Sequence, residues 1–143
     1  MTAKKGDLEQ ALAAARLARS RAYAPYSRYA VGAGVLTRSG RVYSGCNVEN
    51  ATFGATLCAE RSAIAAMVAA GDRDPVACVV VTGGPRPGSP CGICRQVLSE
   101  FARDMNLLLV AEEGSGSSGK IVARKTARLA ALLPQAFRLV RGR

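Results

Sequence analysis

The N-terminal third of the chain passes from a helical pattern of apolar positions to a strand-like one. Leucine and alanine recur three or four residues apart over residues 7–22, which predicts a first helix with Asp7 as its N-cap. Pro25 prevents that helix from continuing. The apolar segments 31–37 and 41–48 flank a Ser-Gly turn and predict a β-hairpin. The glycines of its first strand indicate that another element packs closely against it.

The rest of the chain alternates further helical patterns with apolar runs. The patterns predict helices over residues 58–70 and 91–103. The continuous apolar runs 76–82 and 107–111 are typical of strands that are covered on both faces. Residues 121–123 predict a short edge strand. Helices that alternate with strands favour a layered α/β sandwich.

Two further features belong to the C-terminal part of the chain. The stretch 114–119 consists of glycine and serine, which are too small and polar to pack, so we expect a mobile loop. Thr126 is expected to cap a final helical turn that runs into Leu132 and Leu133.

Length and composition favour one globular domain that covers residues 1–143. At 143 residues the chain is long enough to bury a core without disulfides, and a hydrophobic fraction of 49% argues against disorder. No apolar run approaches the length that spans a membrane. The first seven residues lead into an amphipathic segment rather than an apolar signal sequence, so we expect a cytoplasmic location.

The chain contains five cysteines and no histidine. An odd number of cysteines without a sign of export argues against a disulfide framework and favours thiols that are free to bind metal. The absence of histidine excludes Ser-His and Cys-His catalysis. Any zinc ion must therefore be held by sulfur or carboxylate.

The formal net charge of +10 could indicate a nucleic-acid surface. Most of the basic residues are scattered between Arg16 and Arg143, without interleaved aromatic residues or a compact block. We therefore interpret the charge as a surface that serves solubility and expect no nucleic-acid partner.

Two cysteine-bearing segments carry the candidate chemistry. Cys91 and Cys94 are three residues apart at the start of a predicted helix, so they project from one face. Cys58 opens another predicted helix in the same way, and Glu60 follows two residues later. Three thiolates that converge on one point leave a fourth position for water, which is the layout of a catalytic zinc site.

These motifs resemble those of the small zinc-dependent cytidine deaminases of pyrimidine salvage. C-x-E followed by P-C-x-x-C is the signature of zinc deaminases. The resemblance rests on five segments in order along the chain: Tyr23-Ala24-Pro25-Tyr26-Ser27, Gly45-Cys46-Asn47-Val48-Glu49-Asn50-Ala51, Cys58-Ala59-Glu60-Arg61, Ser89-Pro90-Cys91-Gly92-Ile93-Cys94-Arg95-Gln96 and Leu132-Leu133-Pro134-Gln135-Ala136-Phe137.

The resemblance implies a fold, an activity and an assembly. The fold is a three-layer α/β/α sandwich around one mixed sheet of about five strands. The activity is hydrolytic deamination of cytidine or 2′-deoxycytidine to the uracil nucleoside and ammonia, with Zn²⁺ as cofactor and a small nucleoside as substrate. The family forms homotetramers in which neighbouring subunits complete each pocket.

Hydrolytic deamination must place hydroxide on C4 of cytosine and supply a proton to the departing amine. A zinc ion that is held by Cys58, Cys91 and Cys94 provides the first by acidifying water. Glu60 can take that proton and deliver it to N3 and then to the amine. Residues two apart on a helix point in nearly opposite directions, so Cys58 must lie at or before the N-cap.

Three thiolates give the zinc site a formal charge of −1 and weaken the metal as a Lewis acid. Two helix N-termini offset part of this charge. Arg61 is placed to hydrogen-bond a ligating sulfur and tune it. An ordinary surface arginine is the alternative interpretation of Arg61, and a first-turn carboxylate favoured only by the helix dipole is the alternative for Glu60.

Candidate substrate contacts follow from strand alternation and from the resemblance. Asn47 and Glu49 alternate on the second predicted strand and face one side, and the resemblance implies that they hold the ribose. An exposed strand face is the alternative. Tyr29 and Phe137 match aromatic positions that pack on the pyrimidine, with core packing as the alternative. The resemblance also places the backbone near Ala59 and Ser89 against the base.

Three other functions remain open at this point. Cys46 or Cys78 could complete a closed Cys₄ site, which would make the zinc structural. A blasticidin-type nucleoside deaminase shares both metal segments, although the Asn-Val-Glu-Asn run at 47–50 favours plain cytidine. A polynucleotide deaminase would use the positive charge, but the chain has no evident extra element to grip a strand.

Overall fold

One five-stranded mixed sheet organises the protein. The computed structural model describes residues 3–115 and 118–140. Its strands lie in the order β2-β1-β3-β4-β5, with β3 and β4 parallel and the other neighbours antiparallel. The elements are α1 (Lys5–Ser20), β1 (Val31–Thr37), β2 (Val42–Cys46), a 3₁₀ turn (Phe53–Ala55), α2 (Ala59–Ala69), β3 (Pro75–Gly83), α3 (Gly92–Phe101), β4 (Asn106–Glu113), β5 (Lys120–Arg128) and α4 (Leu129–Leu132).

Each face of the sheet is covered by helices, because the inner strands are apolar on both sides. On one face, α1 packs against alternate residues of β1, β3 and β4. On the other face, α2, α3 and α4 pack against the intervening residues of the same strands. Side chains of β3 alternate accordingly, with Val79 in the first core and Val80 in the second. The expected three-layer α/β/α sandwich is confirmed. Within the described residues, no helix is both long and apolar enough to cross a membrane.

Helix α1 lies directly on the backbone of β1. A Cβ atom added to Gly32 would stand 1.9 Å from the carbonyl oxygen of Ala15, and one added to Gly34 would stand 2.3 Å from that of Ala11. The close packing that the glycines of this strand predicted is therefore present. The contact sets the distance between α1 and the sheet.

We expect Gly34→Ala to lower the free energy of unfolding by about 2–3 kcal/mol, because helix and strand must separate to admit the methyl group. Urea denaturation followed by circular dichroism measures the change. Gly6→Ala is the matched control, since a Cβ at Gly6 meets nothing within 4 Å. Equal stability of the two variants would contradict the close contact.

Several predicted boundaries are wrong by a few residues. Helix α1 begins at Lys5 with Lys4 as its N-cap, so Asp7 lies in the first turn rather than at the cap. No side-chain cap bond is made there, although a first-turn carboxylate still suits the helix dipole. The apolar patterns placed the starts of α2 and α3 one residue too early, because Cys58 and Cys91 are the N-caps, and for Cys58 this is the position that its predicted role requires.

The C-terminal prediction was wrong in a more substantial way. Strand β5 has nine residues, and Thr126 lies inside it opposite Leu108 instead of capping a helix. The final helix begins at Leu129, after Arg128. The strand is long because β4 offers a partner along its whole length, while exposed basic side chains on this edge hide the apolar pattern. The loop predicted as mobile includes residues 116–117, which lie outside the described residues.

Candidate active site

Two helix N-termini bring three thiols together. Cys58 is the N-cap of α2, Cys91 is the N-cap of α3, and Cys94 lies in the first turn of α3. Their sulfur atoms all lie within 4.8 Å of one another, with 4.0 Å between those of Cys58 and Cys91. Two sulfurs on a tetrahedral zinc ion stand about 3.8 Å apart. The cluster therefore fits a zinc ion with little rearrangement.

No fourth cysteine joins this cluster. All five cysteines belong to the described residues, and Cys46 and Cys78 are not members of the group. Cys78 is wholly buried within β3, where burial raises the pKa of its thiol. The donor set is thus three thiols, which does not match a closed Cys₄ structural site.

The charges around the cluster favour a cation. Burial opposes ionisation of Cys91, but hydrogen bonds from the backbone and side chain of Cys94 and from Cys58 outweigh it and lower the pKa of Cys91. Burial, and then the negative charges of Glu60 and Cys58, raise the pKa of Cys94. These acidic groups repel one another as they ionise, and a divalent cation relieves that repulsion. Soft sulfur donors make zinc a suitable cation.

Glu60 is a buried carboxyl group beside the cluster. It lies in the first turn of α2, is 5% exposed, and lines the same cavity as Cys58 and Cys91. Burial raises the pKa of Glu60 above its ordinary value, against opposing hydrogen bonds. The expected position of Cys58 at the cap is confirmed, so both side chains can reach one point. A buried acid with a raised pKa in a cavity is suited to carrying a proton.

Arg61 is directed at the cluster rather than at solvent. Its Nη2 donates to the carbonyl oxygen of Thr56 at 3.0 Å and to the sulfur of Cys58 at 3.5 Å. The hydrogen bond to Cys58 raises the pKa of Arg61. Its Nε is buried and has no hydrogen-bond partner within the described residues. The guanidinium therefore places positive charge next to a sulfur of the thiol cluster.

A cavity of about 220 Å³ opens beside the thiols. Four of the predicted substrate residues line it together with Glu60, namely Tyr29, Asn47, Glu49 and Ala59. Phe137 does not line this cavity and is 71% exposed. Its carbonyl oxygen accepts a hydrogen bond from Nε2 of Gln96 at 3.0 Å.

Asn47 lies just beyond β2 rather than within it, and its side chain joins two backbone segments. Its Oδ1 accepts from the N–H of Val31 at 2.9 Å, and its Nδ2 donates to the carbonyl oxygen of Tyr29 at 2.7 Å. A primary amide has a second N–H and a second lone pair on oxygen, so each atom can make one more hydrogen bond. Asn47 therefore builds the cavity wall and can also contact a ligand.

Glu49 is held as an ionised acceptor at the cavity edge. Its carboxylate accepts from the N–H groups of Tyr26 at 2.9 Å and Ser27 at 3.1 Å, and from the hydroxyl of Ser27. The hydroxyl of Ser27, followed by its N–H, lowers the pKa of Glu49. An anchored carboxylate of this kind can accept hydrogen bonds from sugar hydroxyls.

Three further polar residues of the cavity wall, Ser27, Thr56 and Thr82, had no predicted role, whereas Ser89 was expected to contact the base through its backbone. Thr82 accepts a hydrogen bond from the N–H of Gly88 at 2.9 Å. A usable signal was present for Thr82. It is the polar residue that ends the apolar run of β3, at the carboxyl end of that strand, where the ligand cavity opens.

Comparison with known proteins identifies the family. The model of the cytidine and deoxycytidylate deaminase zinc-binding region matches residues 5–109. The chain is 46% identical over 95 residues to a cytidine deaminase of Sporosarcina psychrophila, which covers 66% of this chain and 70% of that protein. It is 42% identical over 120 residues to a cytidine deaminase of Mycobacterium tuberculosis, and the alignment covers 82% of this chain and 80% of that protein.

Solved structures lead to the same family. A crystal structure of cytidine deaminase from Burkholderia pseudomallei superposes with a TM-score of 0.79 at 39% identity, covering 90% of this chain and 98% of that one. Since the family model matches well over half of the residues, the chain belongs to the cytidine and deoxycytidylate deaminases that share this zinc-binding region.

Proposed function

We propose that the protein hydrolyses cytidine and 2′-deoxycytidine to the uracil nucleosides and ammonia, as a zinc-dependent deaminase of pyrimidine salvage. One observation carries the proposal. The buried carboxyl of Glu60 shares a cavity with two thiols of the metal-binding cluster and with Asn47 and Glu49, which have hydrogen-bonding capacity for a sugar. Relatives named cytidine deaminase support it.

Cys58, Cys91 and Cys94 are the residues that hold zinc in this proposal. A zinc ion at this position supplies a Lewis acid that acidifies water. Glu60 removes a proton from the attacking water and transfers it to N3 of the pyrimidine, while the oxygen bonds to C4. Glu60 then carries the second proton of that water to the exocyclic nitrogen. The C4–N bond breaks, ammonia leaves, and the carbonyl group of uracil forms.

The cavity wall orients the nucleoside for this transfer. Glu49 accepts hydrogen bonds from the ribose hydroxyls, Asn47 can donate to them or accept from them, and Tyr29 packs on the pyrimidine ring. The backbone of Ala59, at the N-terminus of α2, contacts the base. These contacts hold C4 next to the reacting groups, so that binding lowers the entropic part of the barrier.

Arg61 offsets the negative charge of the thiolates through its bond to Cys58. We expect Arg61→Gln to lower kcat/KM for cytidine by about 10- to 100-fold and to let a chelator remove zinc more easily. Steady-state kinetics and chelator competition measure both effects. Arg73→Gln is the control, because Arg73 is exposed beyond the end of α2. An Arg61→Gln protein with unchanged kinetics and zinc retention would contradict this role.

We propose a homotetramer in which Phe137 reaches the cavity of a neighbouring subunit. The support is the exposure of large apolar side chains: Phe53 is 74% exposed, Phe137 71% and Leu139 79%. Apolar surface of this kind is typical of contacts between proteins.

We also propose a cytoplasmic location and one domain over residues 1–143. Five free cysteines are compatible with a reducing compartment.

The function is tested by following the ultraviolet absorbance of cytidine in the presence of purified, zinc-loaded protein. We expect cytidine to be lost, with uridine and ammonia released in equal amounts. Competition with blasticidin S tests the alternative of a blasticidin-type nucleoside deaminase. We expect added blasticidin S to leave the turnover of cytidine unchanged. Conversion of blasticidin S in preference to cytidine would contradict the proposed substrate.

A further inference from the structure

Glu112 is a buried carboxylate that the deaminase mechanism does not use. Its side chain has no solvent exposure and pairs with two arginines of α1. The distances are 2.7 Å to Nε of Arg16 and 2.9 Å to Nη1 of Arg19. A carboxylate buried this deeply is stable only when such partners compensate its charge. The two ion pairs therefore fix both arginine side chains in place.

The cluster of Glu112, Arg16 and Arg19 lies near the carboxyl ends of β3 and β4, where the ligand cavity also lies. Glu112 is opposite Gly83 in the parallel pairing of β3 and β4, and Gly83 follows Thr82, which lines the cavity. Thr82 in turn is opposite Val31, another cavity residue, in the pairing of β1 and β3. The buried cluster lies at this end of the strands, on the face of the sheet that α1 covers.

Arg19 contacts the backbone beside two parts of the cavity wall. Its Nε donates to the carbonyl oxygen of Ala30 at 3.0 Å, and Ala30 lies between the wall residues Tyr29 and Val31. Its guanidinium also packs on Gly83, since a Cβ added there would stand 2.6 Å from Nη2 of Arg19. Arg19 thus contacts the backbone that carries the wall residues but does not itself line the cavity.

Arg16 is bound to the same carboxylate but has a different second contact. Its Nη2 donates to the carbonyl oxygen of Gly119 at 2.7 Å. Gly119 precedes β5 and does not line the cavity. The two arginines therefore share one anchor, and only Arg19 joins that anchor to the cavity wall.

We propose that Arg19, held by Glu112, is a positioning residue that sets the place of the cavity wall at residues 29–31 and thereby the affinity for the nucleoside. The inference rests on the proposed function. The planar guanidinium of Arg19 presents Nε to Ala30 and Nη1 to Glu112 at the same time. A lysine ammonium keeps the charge but is a single point, so it cannot keep both contacts in this geometry.

The matched pair Arg19→Lys and Arg16→Lys tests this role. For Arg19→Lys we expect KM for cytidine to rise about five- to tenfold, because the substitution removes roughly one hydrogen bond that positions the cavity wall. We expect kcat to stay within about twofold, because Glu60 and the thiols are untouched. Arg16→Lys should also lower the thermal midpoint, because it weakens an ion pair to the same buried carboxylate, but it should leave KM unchanged.

Gly83→Ala provides a second variant that keeps both ion-pairing arginines. Its methyl group pushes on the end of the Arg19 side chain and should raise KM about threefold, with one zinc ion per chain as in the wild type. Equal KM values in Arg19→Lys, Gly83→Ala and the wild type would overturn the inference, as would equal rises in Arg19→Lys and Arg16→Lys. A wild-type protein without cytidine turnover would instead overturn the proposed function on which it rests.

Discussion

Glu60→Gln is expected to bind one zinc ion per chain and to convert cytidine about 10²- to 10⁴-fold more slowly than the wild type. Glutamine keeps the size of the side chain and fits the same buried position in the first turn of α2. It cannot accept a proton from water and return it to the pyrimidine. The loss should therefore appear in kcat, measured by ultraviolet absorbance, while colorimetric zinc analysis shows an unchanged metal content.

Glu100→Gln is the matched control, because Glu100 is an exposed carboxylate on α3. Its kcat and KM should equal those of the wild type. A Glu60→Gln protein that is folded, contains zinc and turns over cytidine at the wild-type rate would show that another group carries the proton.

Cys91→Ala is expected to lose both bound zinc and measurable turnover. The substitution leaves two thiols, and alanine at the N-cap of α3 offers no lone pair to a metal. Zinc binding by three converging thiolates depends on all of them, so we expect less than about one tenth of the wild-type zinc content after dialysis. Metal analysis and the cytidine assay on the same sample measure the two losses together.

Cys46→Ala tests whether the loss is specific to the cluster. Cys46 ends β2 and is not a member of the group of three sulfurs. Its replacement should leave zinc content and turnover unchanged. Loss of zinc from Cys46→Ala, or its retention by Cys91→Ala, would mean that a different set of cysteines holds the metal.

The layers of the fold could be predicted because they follow from local patterns. The continuous apolar run of β3 indicated a strand covered on both faces, and the glycines of β1 indicated a helix packed on its backbone. The full length of β5 could not be predicted in this way. Its pairing with β4 is a long-range contact, and its exposed basic positions show no apolar run.

The metal cluster was predictable for a related reason. Cys91 and Cys94 lie within one helical turn, and the Cys58-to-Glu60 spacing requires a cap, so short spacings fixed most of the geometry. The wall of the cavity depends on contacts between distant segments. The bridge of Asn47 between Tyr29 and Val31, and the pairing of Arg19 with Glu112, join parts of the chain that no local motif relates.

The central claim is that one zinc ion held by three thiolates is required for deamination of cytidine. The most direct measurement is a titration of metal-free protein with zinc while cytidine loss is followed. Activity should rise from zero in proportion to added zinc and level off at one ion per chain. A protein that binds one zinc ion per chain and leaves cytidine unchanged would contradict the account, because its metal would then only stabilise the fold.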